Sequence, residues 1–580
     1  ISINGGTFDQ LTILVNGIAI NNPQTGHNAA DFPLNLADIE RIEVLEGAAS
    51  RVLGTQAFSG AINIVTRQVG PTLYARAAGG SYGTAQGEVR GLFRHQFTNG
   101  NLFTSSLSAG YQRSDGAVRN GDFKGGKAFW QGSLDAAQYK VDAQAGYTNT
   151  DFGANTFYSI ASTDQWESTT RYLASVKAET KGKIHIAPQI SWLRNYDHFQ
   201  FFRNTPTYEN FNRGDVLTAG LNLWTAWSLG RTAIGGEVRH ENIYSGNLGR
   251  DINVDQRFRI PGQSLDKKDN KGIWRTHDGH LAEYTKSVDR TNVSLFAEHN
   301  VLLRDWTLSL GVLAQRNNAF GKDFRFYPGI DVAYRPAAHW KLYASWNKSL
   351  RLPTFTELYY KSPSQEGNIG LKPEENSAFR LGTTFRPTAG VTLDVAAQYN
   401  HGTDVLDWVM YDAKDKFHAH NFQLDNYGVS ASLALDGAMV FGENQPLRRL
   451  RLDYAYLTQT RKDKEVYFKS NYAGEYLRHK FVATLDHRLI SRLNASWVFR
   501  LQERNGNYVV VDRTNPAKLK ATDQLMPYGL HGRLDLKLHW DAKNYSLFCD
   551  LQNLTNHRFY DLANVEQPGF VVMAGASYQF

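Results

Sequence analysis

Apolar residues fall on every second position through most of this chain. In "LFTSSLSAGYQ", Phe103, Leu107, Ala109 and Tyr111 share one face, and Thr104, Ser106, Ser108 and Gln112 the other. "WKLYASWN" sets Trp340, Leu342, Ala344 and Trp346 against Lys341, Tyr343, Ser345 and Asn347. "VTLDVAAQYN" sets Val391, Leu393, Val395, Ala397 and Tyr399 against Thr392, Asp394, Gln398 and Asn400. The C-terminal "FVVMAGASYQF" repeats the pattern through Phe570, Val572, Ala574, Ala576, Tyr578 and Phe580. Period two predicts strands with one face against an oily medium and the other against polar groups. A polar face that persists from about residue 72 to the end is more than a soluble sandwich needs. A water-facing lumen accounts for it.

The connections between these strands come in two lengths. Short ones include the segments around Arg304–Asp305, Pro336 and Pro387–Gly390; long polar ones cover 241–285, 403–424, 460–472 and 504–526. Short turns at one end and long loops at the other are the pattern of an outer-membrane barrel. The chain holds about 22 candidate strands, each with its connection taking roughly 23 residues, which suits spans of about 9–11 residues. An open sheet edge in lipid would leave backbone groups unpaired at several kcal/mol each. The final strand is therefore expected to pair with the first, near "TLYARAAGG".

Residues 1–69 have a different texture. "LTILVNGIAI" and "AINIVT" are short strands of the buried type, "NLADIERIEVLEG" starts helical and turns into a strand, and "AASRVLGTQAFSGA" is small and Gly-rich. The expected fold is an all-β membrane barrel: about 22 antiparallel transmembrane strands over 70–580, with a small α+β plug, 1–69, in the lumen. The row begins "ISINGG", with neither Met nor a signal-peptide pattern, which reads as a mature or truncated form.

Composition narrows the chemistry. Aromatics are 13% of 580 residues, as interface girdles require, and no apolar run is long enough for a helical span. One cysteine, Cys549, rules out an internal disulfide or a cysteine zinc cage and reads as a small strand residue. The net charge of +7 comes from 63 basic and 56 acidic residues without a dense basic block, so no nucleic-acid partner is expected. "GGSYG" at Gly79–Gly83 matches a nucleophile elbow, but strands flank it on both sides, so Ser81 belongs to a hairpin turn. No D-x-D-x-D-G calcium loop occurs, and "NGDFKGG" around Asp122 is poor in carboxylates. No acid–base cluster marks the chain as an enzyme.

"LTILVNGIAINNPQTGH…FPLNLADIERIEVLEGAASRVLGTQAFSGAINIVT" resembles the second half of the plug of TonB-dependent outer-membrane transporters, matching at Ile13–Gly17, Ile39–Val44, Glu46–Ala48 and Leu53–Thr66. "SLRLPTFTELYY…GNIGLKPEENSAFRLG" and "DLQNLTNHRFYD…QPGFVVMAGASYQF" resemble later barrel segments of the same family. Three departures stand out. Asn4 takes the place of an arginine, Glu46-Gly47-Ala48 replaces R-G-P, and the first half of the plug with its TonB-contacting box is missing from this row.

The resemblance implies active import across the bacterial outer membrane, driven by the TonB complex through that missing segment, with outer-membrane lipid around the barrel and a surface lipoprotein lid as a further partner. It implies no catalytic residue, metal or cofactor. By the same resemblance two plug apices contact the ligand: Asn21, Asn22, Gln24, Thr25, His27 and Asn28 in one loop, Thr7, Phe8, Asp9 and Gln10 in the other. Tyr196, Phe199, Phe201 and Phe202 are expected in an outer loop, in an aromatic stretch that suits a large flat ligand, an interface girdle or a partner protein. Glu40, Arg41, Glu43 and Arg51 are the charges expected to lock plug to barrel. The segment from Asn16 to Thr66 looks most like that of vitamin B12 transporters, so cobalamin or a related corrinoid is the expected ligand. A ferric siderophore and then haem follow; a passive porin or a barrel enzyme fits less well. No histidine lies between Leu350 and Leu371, which counts against haem.

Overall fold

The computed structural model describes the chain except residues 1, 2, 4, 29, 47–56, 159–161, 206, 253–263, 267–270, 276–280, 413, 463–464, 472, 513, 516–518 and 562–564; for 264–266, 271–275, 281–283, 521 and 523 it describes the backbone only. Twenty-two long antiparallel strands run from Leu73–Gly80 to Val571–Gln579 and close on themselves. The closing ladder pairs Met573 with Gly80 and Gln579 with Tyr74. Two-residue strands at Arg250–Asp251, Gln365–Glu366 and Lys469–Ser470 add to the ladder. Closure leaves no edge for lipid to face, as the sequence led us to expect.

The inside-out patterning is explicit in Leu102–Ser114. Leu107 and Tyr111 are 59% and 54% exposed, while Thr104, Ser106 and Ser108 are buried. One end of the wall carries short turns, such as 97–101, 303–305 and 338–339; the other carries the loops 246–285, 352–373 and 505–529. Strands reach 20 residues at Val391–Met410, about twice what a bilayer needs, so the long-loop end stands above the membrane as a collar. Ser81 sits in the expected hairpin. Tyr82 and Gly83 have φ of 58° and 61°, as a type I′ turn requires, and Ser81 Oγ accepts from Val572 N at 3.0 Å. It helps close the barrel.

Within the lumen lies a four-stranded mixed sheet: β1 (Leu11–Val15), β2 (Ile18–Ala19), β3 (Ile39–Glu46) and β4 (Gly60–Thr66), in the order β2-β1-β4-β3. β1 runs parallel to β4 and is buried along its whole length, which is why "LTILV" shows no alternation. The helical pieces of this unit, among the described residues, are the 3-10 turns Phe8–Gln10 and Leu36–Asp38.

The sheet is held partly by oil. Leu11, Ile13, Val15, Ile18, Ile20, Leu34 and Ile64 form one buried cluster with Phe129, Leu173, Leu193 and Val216 of the wall. Those wall residues are in register across neighbouring strands: Phe129 opposes Gly146, Gly146 opposes Leu173, Leu173 opposes Leu193, and Leu193 opposes Val216. They make an apolar row inside an otherwise polar lumen. Gly146 is the notch in that row, since a Cβ there would stand 2.8 Å from Cβ of Pro33.

Replacing Ala576 by proline removes one ladder N–H from the closing strand, which pairs on both sides. The expected outcome is loss of the compact, heat-modifiable band of the folded barrel on an unboiled gel.

Candidate functional site

The plug's two apices point to the long-loop end. In the first, the Phe8–Gln10 turn, Thr7 N donates to Gln10 Oε1 at 2.9 Å, and Gln10 Nε2 reaches Glu374 Oε1 on the wall at 2.9 Å. Asp9 accepts from Gly26 N at 2.5 Å, tying the first apex to the second. Behind them Arg351 makes a two-pronged pair with Glu357, at 3.0 and 2.9 Å, and a further pair with Glu374.

Glu357 belongs to a short wall helix, α1 (Phe355–Tyr359), capped by Thr354. The N–H groups of Phe355 and Thr356, left over at the start of the helix, donate to the carbonyls of Pro23 and Gln24 at 2.9 and 3.1 Å. The apical loop thus completes the helix. Burial, then the nearby Glu357 charge, pushes the Asp9 carboxyl up to about 7, against the pull of Arg351.

The second apex carries His27. Its ring meets Phe8 edge-on at 4.6 Å, stacks on Tyr158 at 5.3 Å and meets Phe157 edge-on at 5.9 Å. Tyr158 in turn touches Phe199 at 5.5 Å. Burial in this aromatic cage lowers the imidazole to about 4, so it is neutral. Gln24 donates to Asp197, Asn28 to Glu167 at 3.1 Å, and Arg171 to the carbonyl of Asp31 at 2.9 Å.

The expected contact residues separate into groups. Thr7 and Phe8 line a gap of about 480 Å³ between plug and wall, and Thr25, His27, Phe199 and Phe201 line a smaller cavity at the apex. Asn21 instead braces the plug, donating to Leu11 O and accepting from Ile13 N, while Asn22 accepts from Gln24 N in a local turn. Phe202 is exposed beside Phe201. Tyr196 lies on the outer face with Tyr172 and Tyr147, in an aromatic row across three strands, because Asn195 and Asp197 take the lumen side.

Of the expected locking charges, Arg41 pairs with Glu40 at 3.0 Å and Glu43 at 2.8 Å on exposed β3, so the three satisfy one another and not the wall. Arg51 lies outside the described residues. Contacts to the wall include neutral pairs, Asn35 to Ser108 at 2.8 Å, Asn16 to Gln144 at 2.7 Å, Thr66 to Gln131, and Ser349 to the Phe58 carbonyl at 3.2 Å, and as many bonds in which one partner is charged, such as Gln10 to Glu374 and Thr169 to Asp31. Arg90–Asp38 and Arg380–Glu46 add charged links.

Beside α1 opens a vestibule of about 1180 Å³ that sequence reasoning missed. Phe320, Tyr359, Tyr411, His418 and His420 line it with Asn247, Asn318 and Asn368. Arg250, Lys286 and Lys361 line it together with Asp289 and Glu366. Lys286 pairs with Asp251 at 2.7 Å and Glu366 pairs with Lys416. The available signal was "TELYY", where the tyrosines follow a capping box.

Two family profiles match the chain. The TonB dependent receptor-like β-barrel covers residues 73–554 and the TonB-dependent receptor plug domain residues 1–61. Among curated proteins, the vitamin B12 transporter BtuB of Vibrio vulnificus is 22% identical over 420 residues, 70% of this chain and 61% of that protein. The vitamin B12 transporter BtuB of Photobacterium profundum is 24% identical over 391 residues, 65% and 56%. The matches thus span less than two thirds of those relatives' length. Among solved structures, the siderophore receptor PirA of Acinetobacter baumannii superposes with a TM-score of 0.74 at 14% identity, covering 100% of this chain and 92% of that one. The FrpB iron transporter of Neisseria meningitidis gives the same score, identity and coverage. At that identity the likeness is one of fold.

The two half-buried titrating groups at the apex act in opposite directions. Asp9 moves from 3.8 to about 7, so its contribution to docking is complete below 3.8 and is lost as pH rises through about 7. His27 moves from 6.5 to about 4, so its contribution is complete above 6.5 and is lost as pH falls through about 4. Between those limits the slopes, each about 1.4 kcal/mol per pH unit, cancel. Asp9→Asn is expected to leave an apex that loosens toward acid, and His27→Gln one that loosens toward alkali. Hydrogen–deuterium exchange of residues 7–10 and 21–28, corrected for intrinsic rates, reads both; parallel profiles in the two variants would contradict the assignment.

Proposed function

This chain belongs to the TonB-dependent receptors of the bacterial outer membrane, a family of transporters and not of enzymes, and on that premise we propose that it imports a large, scarce ligand, cobalamin or a related corrinoid, with energy from the TonB complex. The ligand enters the vestibule from outside, rests on the plug apices, and passes inward when the plug is displaced. A stopper in the lumen is what active import of a tightly held compound needs and what a passive pore lacks.

The observation that carries the choice of ligand is the character of the vestibule. Its volume, about 1180 Å³, exceeds the roughly 300–1,000 Å³ of sites for drug-sized molecules. Its lining combines side-chain amides and aromatic faces with charges of both signs, which suits a large amide-rich solute. The curated relatives named for vitamin B12 support the same reading. His418 and His420 on the vestibule wall favour a second reading, an iron complex or haem of the kind imidazole can ligate.

Cyanocobalamin titrated into the detergent-solubilised protein is expected to bind saturably, one per chain, in the micromolar range or tighter. Tyr411→Ala is expected to weaken it about tenfold, the loss of one aromatic face. Binding of a ferric siderophore or haem with none of cyanocobalamin would overturn the assignment.

A further inference from the structure

Glu241 is fully buried on the wall strand Gly230–Ser245, directly opposite Arg290 of the strand Lys286–Leu302. Its two carboxylate oxygens are taken separately. Arg239 Nε donates to Oε1 at 2.7 Å and Arg290 Nε to Oε2 at 2.5 Å. One carboxylate thus holds two buried guanidinium groups, each with further donors to place. Arg239 sends Nη2 into the plug, to the carbonyl of Asn21 at 3.1 Å. Arg290 sends Nη1 to the carbonyl of Pro353 at 2.5 Å, just ahead of α1, and lies over the Phe355 ring at 4.7 Å.

The two segments held in this way also meet each other. Phe355 and Thr356 donate to Pro23 and Gln24, close beyond Asn21. The circuit is closed: plug loop, Arg239, Glu241, Arg290, head of α1, plug loop. At both ends it reaches further. Asn21 clasps β1, accepting from Ile13 N at 2.9 Å and donating to Leu11 O at 2.8 Å. Phe355 is buried with Ile243 and Leu248, and Tyr359 packs on that cluster while lining the vestibule. A continuous set of contacts therefore runs from the vestibule wall to a buried strand of the plug. Glu241, Arg239 and Arg290 are not themselves part of the vestibule lining.

For stability alone the arrangement is a poor choice, because a buried ion group is often no better than apolar packing of the same volume. Its advantage is direction. A guanidinium is a flat fork with donors at fixed angles, so Arg239 can hold Glu241 with one nitrogen and a plug carbonyl with another. Both forks depend on the same carboxylate, so a shift of either carbonyl pulls on the donor of the other. We propose that Glu241 is a positioning residue for import: with Arg239 and Arg290 it makes the Asn21 turn of the plug and the head of α1 move as one body, so that displacement of α1 from the vestibule side loosens Asn21 from β1. The proposal rests on the vestibule as the place of ligand entry, and not on which ligand enters.

The test uses the full chain in detergent with no solute added, so neither outcome depends on whether cyanocobalamin binds. Hydrogen–deuterium exchange is read at residues 11–15, with β4, residues 60–66, as the control for an intact plug. Arg239→Lys keeps the charge beside Glu241 but replaces the fork by a single nitrogen. It is expected to preserve the melting midpoint of the barrel and to raise exchange at 11–15 about tenfold, leaving β4 unchanged. Glu241→Gln is expected to raise it at least as much. Tyr359→Ala disturbs α1 from the vestibule side; it is expected to raise exchange at 11–15 about fivefold in the wild-type background, and less than about twofold once Arg239 is lysine. Effects that multiply in the double variant would mean a brace without coupling and would overturn the proposal, as would unchanged exchange at 11–15 in either Arg239→Lys or Tyr359→Ala.

Discussion

Closure of the hydrogen-bond ladder in lipid is the constraint from which the rest follows. Because no backbone group can face hydrocarbon unpaired, the chain must return on itself, and Val571–Gln579 pairs with Leu73–Gly80. Closing a sheet this wide encloses a lumen, and apolar side chains on the outer face leave polar ones within. The plug is therefore a small domain folded in a polar container. Its surface meets serine, glutamine and asparagine together with charged wall residues such as Glu88, Glu167, Arg171 and Glu374, and its own apolar core is completed by four wall residues.

The wall could be read from the sequence because period two is a property of each strand by itself. What could not be read was a property of several strands at once. Leu173, Leu193 and Val216 look like ordinary apolar strand residues, and only the register shows that they and Phe129 line up inside. The same holds for the vestibule, which joins side chains separated by more than a hundred residues.

Two finer placements were available from parity alone. Arg41 and Glu43 are two apart on one strand and so meet each other, which weakens any case for their reaching the wall. Tyr196 has the opposite parity to Asn195 and Asp197, so one strand cannot send all three inward. The loops gave composition only. "NNPQTGHNAADF" says turn, but not that Asn21 braces β1 or that Pro23 and Gln24 cap a helix 330 residues further on. The same loop that braces the plug strands is also the N-terminal partner of α1, so a disturbance at either is felt by the other.

Few of the plug's attachments among the described residues pair two opposite charges, and this has an environmental consequence. Mobile ions screen exposed charges within about 10 Å at 0.1 M ionic strength, but act little on amide–hydroxyl bonds, apolar contact or a buried pair such as Arg90–Asp38. A stopper seated in this manner is expected to keep its grip in dilute and in saline surroundings alike.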